Sequence, residues 1–554
     1  MQFNLAEVFS AVADAIPDRD CIVFGDRRLT YRQVNDRARR LARALQHHGL
    51  TVRRERAQLA PDESGQSHLA LYLANGNEYL EGMLGAYYAR VAPFNVNYRY
   101  VADELVYLLT DASTEAIMYH ARYAPTLAAA LHQAGDRLPA MTLIHVDDGS
   151  GNPPLPGAVC YEDLLAATSA EPLELVPSPD DLYVLYTGGT TGMPKGVLWR
   201  QHDIFIAAMG GREFGTGRTP ATVGEIADRA RAAGGAGSMT VAPLMHGAAQ
   251  WAAFMTVLAG RPFVMSATTD RFDPLQTWEL AAREGVLSLS IVGDAFARPL
   301  ADALEAAGPQ LAERLSGLLI LASGGAPFTE PLKQRIVGLL PQLTILDAGG
   351  SSETGAQMGQ TTSRGQASTG RFTPNPGAVV VSEDMTRILA PGDQEIGWLA
   401  QQGHVPLGYL GDPQKSARTF PIIEGIRHSV PGDRARWDTD GGIELLGRDS
   451  VTINSGGEKI FAEEVEAAIA RHPAVYDVVV AGRPSTRWGS EVVAVVQLAD
   501  NAVATADDII AEAANHVARY KLPKEVVFCE QIQRSPSGKA DYRWATQLAA
   551  AAQM

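Results

Sequence analysis

Apolar positions recur along this chain in two rhythms, helical faces and short unbroken runs. Leu5, Val8, Phe9, Val12 and Ile16 share one helical face near the start. A helix predicted at 79–89 turns Tyr79, Tyr87 and Tyr88 inward as a packing face. The run Leu182, Tyr183, Val184, Leu185, Tyr186 reads instead as a buried strand. After an irregular stretch at 211–237, read as a surface excursion around a helix at 223–233, short runs and helices alternate. The runs fall at 239–242, 262–265, 287–292, 318–321 and 343–346, the helices at 248–258, 295–307 and 329–340. This alternation predicts an α/β architecture with mixed and parallel sheet, in which ligands collect at the carboxyl ends of strands.

The character changes near residue 448. Strand-like runs at 396–399 and 443–446 lead to Gly447, Arg448 and Asp449. Beyond them come a Gly turn at 454–457, a helix at 462–471, strands at 475–481 and 492–498, a helix at 506–520 and a last strand at 525–529. The expected organisation is a large N-terminal domain, 1–447, and a small mobile α+β domain, 448–554.

Length agrees, since 554 residues exceed what one core supports. A formal charge of −16 argues against nucleic acid or an anionic membrane as a standing partner. The three cysteines, Cys21, Cys160 and Cys529, are far apart and without metal-ligand spacing. The first residues lack the basic start and apolar core of a signal peptide, and no apolar run is long enough to span a bilayer. A cytoplasmic location is expected.

Candidate chemistry begins after the strand at 182–186, in the string YTGGTTGMPKG. Glycines at 188, 189 and 192 let backbone N–H groups approach an oxyanion, while Thr187, Thr190 and Thr191 add hydroxyls and Lys195 a mobile charge. Gly188, Gly189 and Gly192 with these side chains make a phosphate cradle. It is not a Walker A loop, because Met193 and Pro194 separate Gly192 from Lys195. Gly324 and Gly325 follow another run, where bare backbone can approach a flat ligand, and Glu353 follows Ser351 and Ser352 in a turn where a carboxylate can hold Mg²⁺. Alanines 248, 249, 252 and 253 follow His246 and Gly247, leaving room for a bulky apolar group or permitting close helix packing.

The order of these motifs resembles the adenylate-forming superfamily of acyl-CoA synthetases, peptide-synthetase adenylation domains and luciferases. The likeness runs from Leu29-Thr30-Tyr31 to Asp541-Tyr542. VNYRY, PLMHGAAQW, VGDAFARPL, INSGGEKI and RSPSGKADYRW narrow it to actinobacterial fatty-acyl and steroid side-chain CoA ligases. The resemblance implies ATP, Mg²⁺ and coenzyme A as ligands, with Glu353 as the magnesium-associated acid and Lys539 as the lysine that stabilises charge at the α-phosphate. It further implies that Asp433 and Arg448 bind ribose, that His246, Gly247, Ala248 and Gly324 border the acyl group, and that Gly324 and Gly325 also face adenine. Asp449 matches the hinge, and Ser455, Gly456 and Gly457 match the edge that lines the pantetheine path. One departure stands out: Gly349 and Gly350 occupy the region where the family often places an adenine-stacking aromatic. The implied reaction is ATP-dependent ligation of a long or bulky hydrophobic acid to CoA through an acyl adenylate. Loading of a carrier-protein phosphopantetheine and an inactive nucleotide-binding regulator remain alternatives, as does either a steroid side-chain acid or a linear fatty acid. Oligomeric state is open, a homodimer included.

Overall fold

Strand pairing follows the apolar runs. The computed structural model describes residues 1–187, 193–213, 217–363, 365, 370–455, 458–485, 488–535 and 538–552. Among them the strands form sheets of fifteen, eight and five members. In the largest sheet, Asp20–Phe24, Phe263–Met265, Ser238–Thr240, Ser288–Ile291, Ile320–Gly324 and Thr344–Ser351 run parallel in that spatial order. The helices Pro274–Glu284, Gly293–Ala307 and Glu330–Leu339 connect them, as the alternating pattern requires. Beyond Thr344–Ser351 the sheet turns antiparallel and continues to Asp433–Trp437 and Ile443–Arg448. The eight-stranded sheet is built around His68–Tyr72, Ala92–Asn95 and Leu182–Thr187, with Lys195–Arg200 antiparallel at one side. The small C-terminal part has a five-stranded sheet in which Val475–Ser485 and Gly489–Leu498 form the central hairpin.

Local chemistry fixes the boundaries. Asn4 caps the helix Leu5–Ala15 by accepting from Ala6 N and Glu7 N, and Thr30 with Gln33 forms a capping box on Tyr31–His47. Tyr79 and Tyr87 are buried in the main core, as their spacing predicted. The segment at 211–237 differs from expectation. Its helix Val223–Ala232 buries Ile226, Ala227 and Ala230, and Arg19 donates to Ala230 O at 2.7 Å, so the helix is docked and not a loose excursion. The helix expected at 506–520 stops at Ala513, after which Glu512 accepts from Asn515 and His516 side chains and the chain leaves helical geometry. No helix among the described residues is long and apolar enough to cross a membrane.

One group of described residues has metal-ligand spacing, His202, Asp203 and His404. One nitrogen of each ring already has a partner: His202 Nδ1 accepts from Phe3 N at 3.2 Å, and His404 Nδ1 lies 2.8 Å from Asp203 Oδ1. The cluster fastens the N-terminus to the strand-to-helix junction at Arg200.

The phosphate-loop strand is anchored at its start by charge. Arg90 follows the helix Asn77–Tyr88 in a left-handed conformation, φ 54°. Its guanidinium meets buried Asp181 at 2.9 Å and Glu55 at 2.8 Å, and Asp181 immediately precedes Leu182–Thr187. Removing one partner of a buried pair leaves the other charge desolvated. Asp181→Ala should therefore destabilise the large part by about 3 kcal/mol, read as a lower urea midpoint. An unchanged midpoint would mean that Glu55 alone satisfies Arg90.

Candidate active site

Both larger sheets end at one cleft. Thr187 closes the strand Leu182–Thr187, opposite Lys195 in register. Gly188 to Gly192 lie outside the described residues, but both flanks of their loop are held. Asn95 Nδ2 donates to Tyr186 O at 2.8 Å and to Met245 O at 2.7 Å, while its Oδ1 accepts from Tyr186 N at 2.8 Å. One buried amide thus ties the strand before the loop to the segment before His246. On the far flank Tyr107 OH donates to Pro194 O at 3.2 Å, and Tyr186 OH donates to Asp111 at 2.8 Å. Lys195 Nζ lies 3.5 Å from Asp412 and 3.9 Å from Asp111. Desolvation works against its charge, yet Tyr107, Asp111 and Asp412 hold its pKa above the ordinary lysine value.

Glu353 lies in a turn, as expected, and that turn is the tip of a hairpin between Thr344–Ser351 and Gly355–Thr362. Gly349 and Gly350 belong to Thr344–Ser351, paired with Gly355–Thr362 through a bulge at Gly349/Gly350. A Cβ on Gly349 would come 2.5 Å from the Met358 side chain, and one on Gly350 would strike Gly355 O. Packing therefore accounts for these glycines. The tip is braced from three directions: Trp199 Nε1 donates to Ser352 O at 2.9 Å, Ser429 Oγ to Glu353 O at 2.7 Å, and Tyr409 OH to Glu353 Oε1 at 2.8 Å. Ser351 Oγ accepts from Glu353 N at 3.2 Å. With Oε1 held by Tyr409, the Glu353 carboxylate has the hard oxygen chemistry by which it could hold a magnesium ion.

Asp433 and Arg448 are partners across antiparallel strands, with Arg448 Nε 3.3 Å from Asp433 Oδ1. Burial raises the Asp433 pKa despite the arginine. Lys539 reaches the same space from the small part. Its ammonium keeps solvent contact but is surrounded by protein groups, and desolvation with Arg448 depresses its pKa against the pull of Glu353 and Asp433. Arg534 and Gly538, on the N-terminal side of Lys539, are both tied. Arg534 is paired with Asp477 at 2.6 Å and donates to Gly538 O at 3.1 Å, and Gly538, φ 75°, rests against Ala295 and Val292 O of the large part.

His246 faces Lys539, and burial, then Lys539 and Arg99, push its pKa down to about 4. The imidazole is neutral at pH 7, and its Nε2 is buried without a hydrogen-bond partner among the described residues. Gly247 opens the helix Gly247–Leu258 and is packed so closely that a Cβ would lie 2.5 Å from Leu185 Cδ2. The four alanines divide by face. Ala249 and Ala253 are buried in the core, whereas Ala248, Ala252 and Met255 are more exposed; Trp251, between them, packs against the core with its Nε1 buried. Gly324 ends the strand Ile320–Gly324 and Gly325 turns with φ 86°.

Thus Glu353, Asp433, Arg448, Lys539 and His246 converge, with Thr187 and Lys195 at the phosphate-loop flanks. Ser455 is not drawn into this group; it pairs with Glu458 and Gly489 at the hairpin whose Gly456 and Gly457 lie outside the described residues. Asp449 follows Arg448 at the end of Ile443–Arg448. Asn95, Tyr409, Trp199 and Ser429 were missed from sequence. For Asn95 alone a local signal exists, a lone amide in the apolar string APFNV.

Such a cleft offers two carboxylates, three cations and a phosphate-loop frame to an anionic nucleotide and a carboxylic acid. The description AMP-binding enzyme matches residues 9–410, and AMP-binding enzyme C-terminal domain matches 464–539. The chain is 54% identical over 548 residues to the medium-chain acyl-CoA ligase Mig of Mycobacterium avium, covering 99% of this chain and 98% of that one. It is 39% identical over 549 residues to a medium/long-chain-fatty-acid–CoA/3-oxocholest-4-en-26-oate–CoA ligase of Mycolicibacterium smegmatis, covering 98% and 96%. Among solved structures, ATP-bound MatB from Rhodopseudomonas palustris shares the fold at a TM-score of 0.79 and 23% identity, over 99% of each chain. With both family parts matched in order along nearly its whole length, the chain belongs to the AMP-binding enzymes, among the acyl-CoA ligases.

Proposed function

We propose that this ligase activates a medium-length or bulky hydrophobic acid as its acyl adenylate and transfers it to coenzyme A, with the cleft residues in the following roles. The observation that carries the reading is the meeting of Lys539 from the small part with Glu353, Asp433 and Arg448 of the large part, beside neutral His246. A carboxylate is a poor electrophile because its oxygen is a poor leaving group. Attack of that oxygen on the α-phosphorus of ATP forms an O–P bond, breaks the bond to the β-phosphate and releases pyrophosphate. Thr187, Thr190, Thr191 and Lys195 hold the phosphates with the glycine amides of 188, 189 and 192. Asp433 accepts from the ribose hydroxyls while Arg448 orients it. Lys539 places positive charge between the attacking carboxylate and the α-phosphate, where negative charge concentrates in the transition state. Glu353 would hold magnesium, which supplies charge neutralisation on the phosphates. Ser351 and Ser352 fix the Glu353 turn against the nucleotide, and Gly324 and Gly325 admit the adenine and acyl groups closely.

In the second half, the thiol sulfur of CoA bonds to the acyl carbon and AMP leaves. This needs the same carbonyl approached from another side. The boundary between the two units is placed at 447/448, and rotation about Asp449 withdraws Lys539 and brings the edge at Ser455, Gly456 and Gly457 to the cleft. His246, Gly247 and Ala248 border the acyl carbonyl. From there the stripe Ala248, Ala252 and Met255 offers an apolar path of about 10 Å along the helix, which suits an acyl chain of medium length. The relatives' names support that range: one is a medium-chain ligase, the other takes both fatty and steroid acids by name.

Lys539→Ala should abolish ATP–pyrophosphate exchange, by about a thousandfold on the scale of losing one preorganised charge; normal exchange would refute its role. Asp449→Pro should keep acyl-adenylate formation and lose thioester formation, and equal loss of both would remove the hinge. For substrate choice, the wild type is given Mg-ATP, CoA and an equimolar mixture of linear fatty acids with a steroid side-chain acid, and thioesters are counted by mass spectrometry. Medium-chain products should dominate, and Ala252→Trp should lower kcat/KM for the longer acids at least tenfold relative to the shorter. An unaltered length profile would show that the stripe is not the acyl path.

A further inference from the structure

The strand pair that presents Asp433 and Arg448 has a second face. Asp433 is opposite Arg448 and Arg434 is opposite Gly447. Successive side chains leave a strand on opposite sides, so Arg434 backs the ribose pair from behind. It is 4% exposed, and its guanidinium lies 3.6 Å above the ring of Trp398. Nε donates to Asp449 Oδ1 at 3.0 Å, and Nη2 donates to Glu383 Oε1 at 3.1 Å. The same Glu383 oxygen accepts from Lys459 Nζ at 2.9 Å. Lys459 belongs to the hairpin strand Glu458–Ile460 of the small part, beyond the hinge. One carboxylate oxygen is therefore shared between a buried arginine of the large part and a lysine of the part that moves.

We propose that Glu383 and Arg434 form a latch that holds the hinge with Lys539 in the cleft, and that releasing Asp449 and Lys459 from them gates the passage from adenylation to thioester formation. The inference rests on the two-arrangement reading given above. Arg434 acts through Asp449 and Glu383 and is a positioning residue.

The wiring suits reversible release. When Asp449 departs, Arg434 keeps Glu383 and the face of Trp398, so no buried charge is left unpaired, which would be strongly unfavourable. When Lys459 departs, Glu383 keeps Arg434. Trp398 Nε1 also donates to Glu383 O at 3.0 Å, fixing the turn that carries the carboxylate while its partners change. Glu383 and Lys459 are exposed, so their pair is weak and sensitive to salt. A weak contact is the appropriate strength for an equilibrium that must be crossed in every turnover. Arg471 to Glu330, at 3.1 Å, and Gly538 against the large part add further closing contacts, so loss of the latch shifts the balance and does not undock the small part.

The test separates the half-reactions. Glu383→Gln keeps the side-chain shape and removes the charge; because Glu383 is exposed, the variant should fold, which thermal unfolding verifies. ATP–pyrophosphate exchange should fall by about two- to fivefold, while single-turnover transfer to CoA from preformed acyl adenylate stays equal or rises. Raising ionic strength should shift the ratio of the two rates in the wild type and leave it flat in Glu383→Gln. Lys459→Met, read on exchange because that assay contains no CoA, should match Glu383→Gln, and the double variant should add nothing further. Additive effects, or a ratio that neither variant moves, overturn the latch. If Asp449→Pro separates the halves while Glu383→Gln does not, the hinge stands and the latch falls. If Asp449→Pro fails to separate them, the underlying reading falls and the latch with it.

Discussion

A cleft that takes a polyphosphate must keep its cations from being neutralised before the substrate arrives, yet cannot leave them bare. Like charges crowded together repel, and burial without a partner is unfavourable. The protein meets this constraint with carboxylates held at intermediate reach. Lys195 stands 3.5 and 3.9 Å from two aspartates, near enough to stay charged and too far for a tight hydrogen bond. Arg448 leans on Asp433 at 3.3 Å. Lys539, its pKa depressed by desolvation and by Arg448, is the least settled of the three, and it is also the cation supplied by the small part. In the proposed binding mode, phosphates entering this field would replace imperfect protein partners with better ones, so substrate charge would complete the site instead of competing with it.

Holding charges at such distances requires a frame without slack. That frame is a small set of polar side chains joining the ends of two sheets. Asn95 uses both ends of its amide to connect Tyr186 with Met245, which fixes the phosphate-loop strand relative to His246. Trp199 and Ser429 take the carbonyls of Ser352 and Glu353, and Tyr409 takes the carboxylate. Each group is buried or half-buried, and a buried donor left unmade would cost more than an average hydrogen bond contributes. Small displacements of either sheet are resisted at the atoms where chemistry occurs.

Much of the architecture was legible because it is local. Parallel strands buried on both faces write themselves as short apolar runs, and Leu182–Thr187, Ile320–Gly324 and the helices between them appear near their expected places. The motif order around Glu353, Asp433, Arg448 and Lys539 was legible for another reason, since those residues sit in strings with few other uses. What sequence could not yield is pairing across distance. Tyr409 lies 56 residues from Glu353 and Trp199 lies 153 from Ser352, and neither stretch marks its partner. Gly349 and Gly350 looked like a loop because glycine usually marks one. In the fold they are strand residues made necessary by Met358 and by the backbone of Gly355. The alanines after His246 were legible only as small; helix geometry decides that Ala248 and Ala252 face outward and Ala249 and Ala253 face the core.

The proposed hinge draws on the same strand geometry. Asp433 with Arg448 and Arg434 with Gly447 are consecutive steps of one ladder, and alternation sends Asp433 to the cleft and Arg434 to the back, where it reaches Asp449 just beyond the strand's end. Whatever moves the backbone at Asp449 therefore acts within one residue of Arg448, the side chain paired with Asp433. Gly447 makes this step feasible: its φ of 133° is open to glycine, and any Cβ there would collide with the Glu463 carboxylate of the small part. Glu463 Oε1 in turn accepts from Arg448 N at 3.4 Å, and burial raises its pKa. In the proposed roles, nucleotide occupancy and hinge position would be read by the adjacent residues Asp433 and Arg434 on opposite faces of one strand. The two halves of the reaction can then be coupled by a short mechanical path, without a relay through the core.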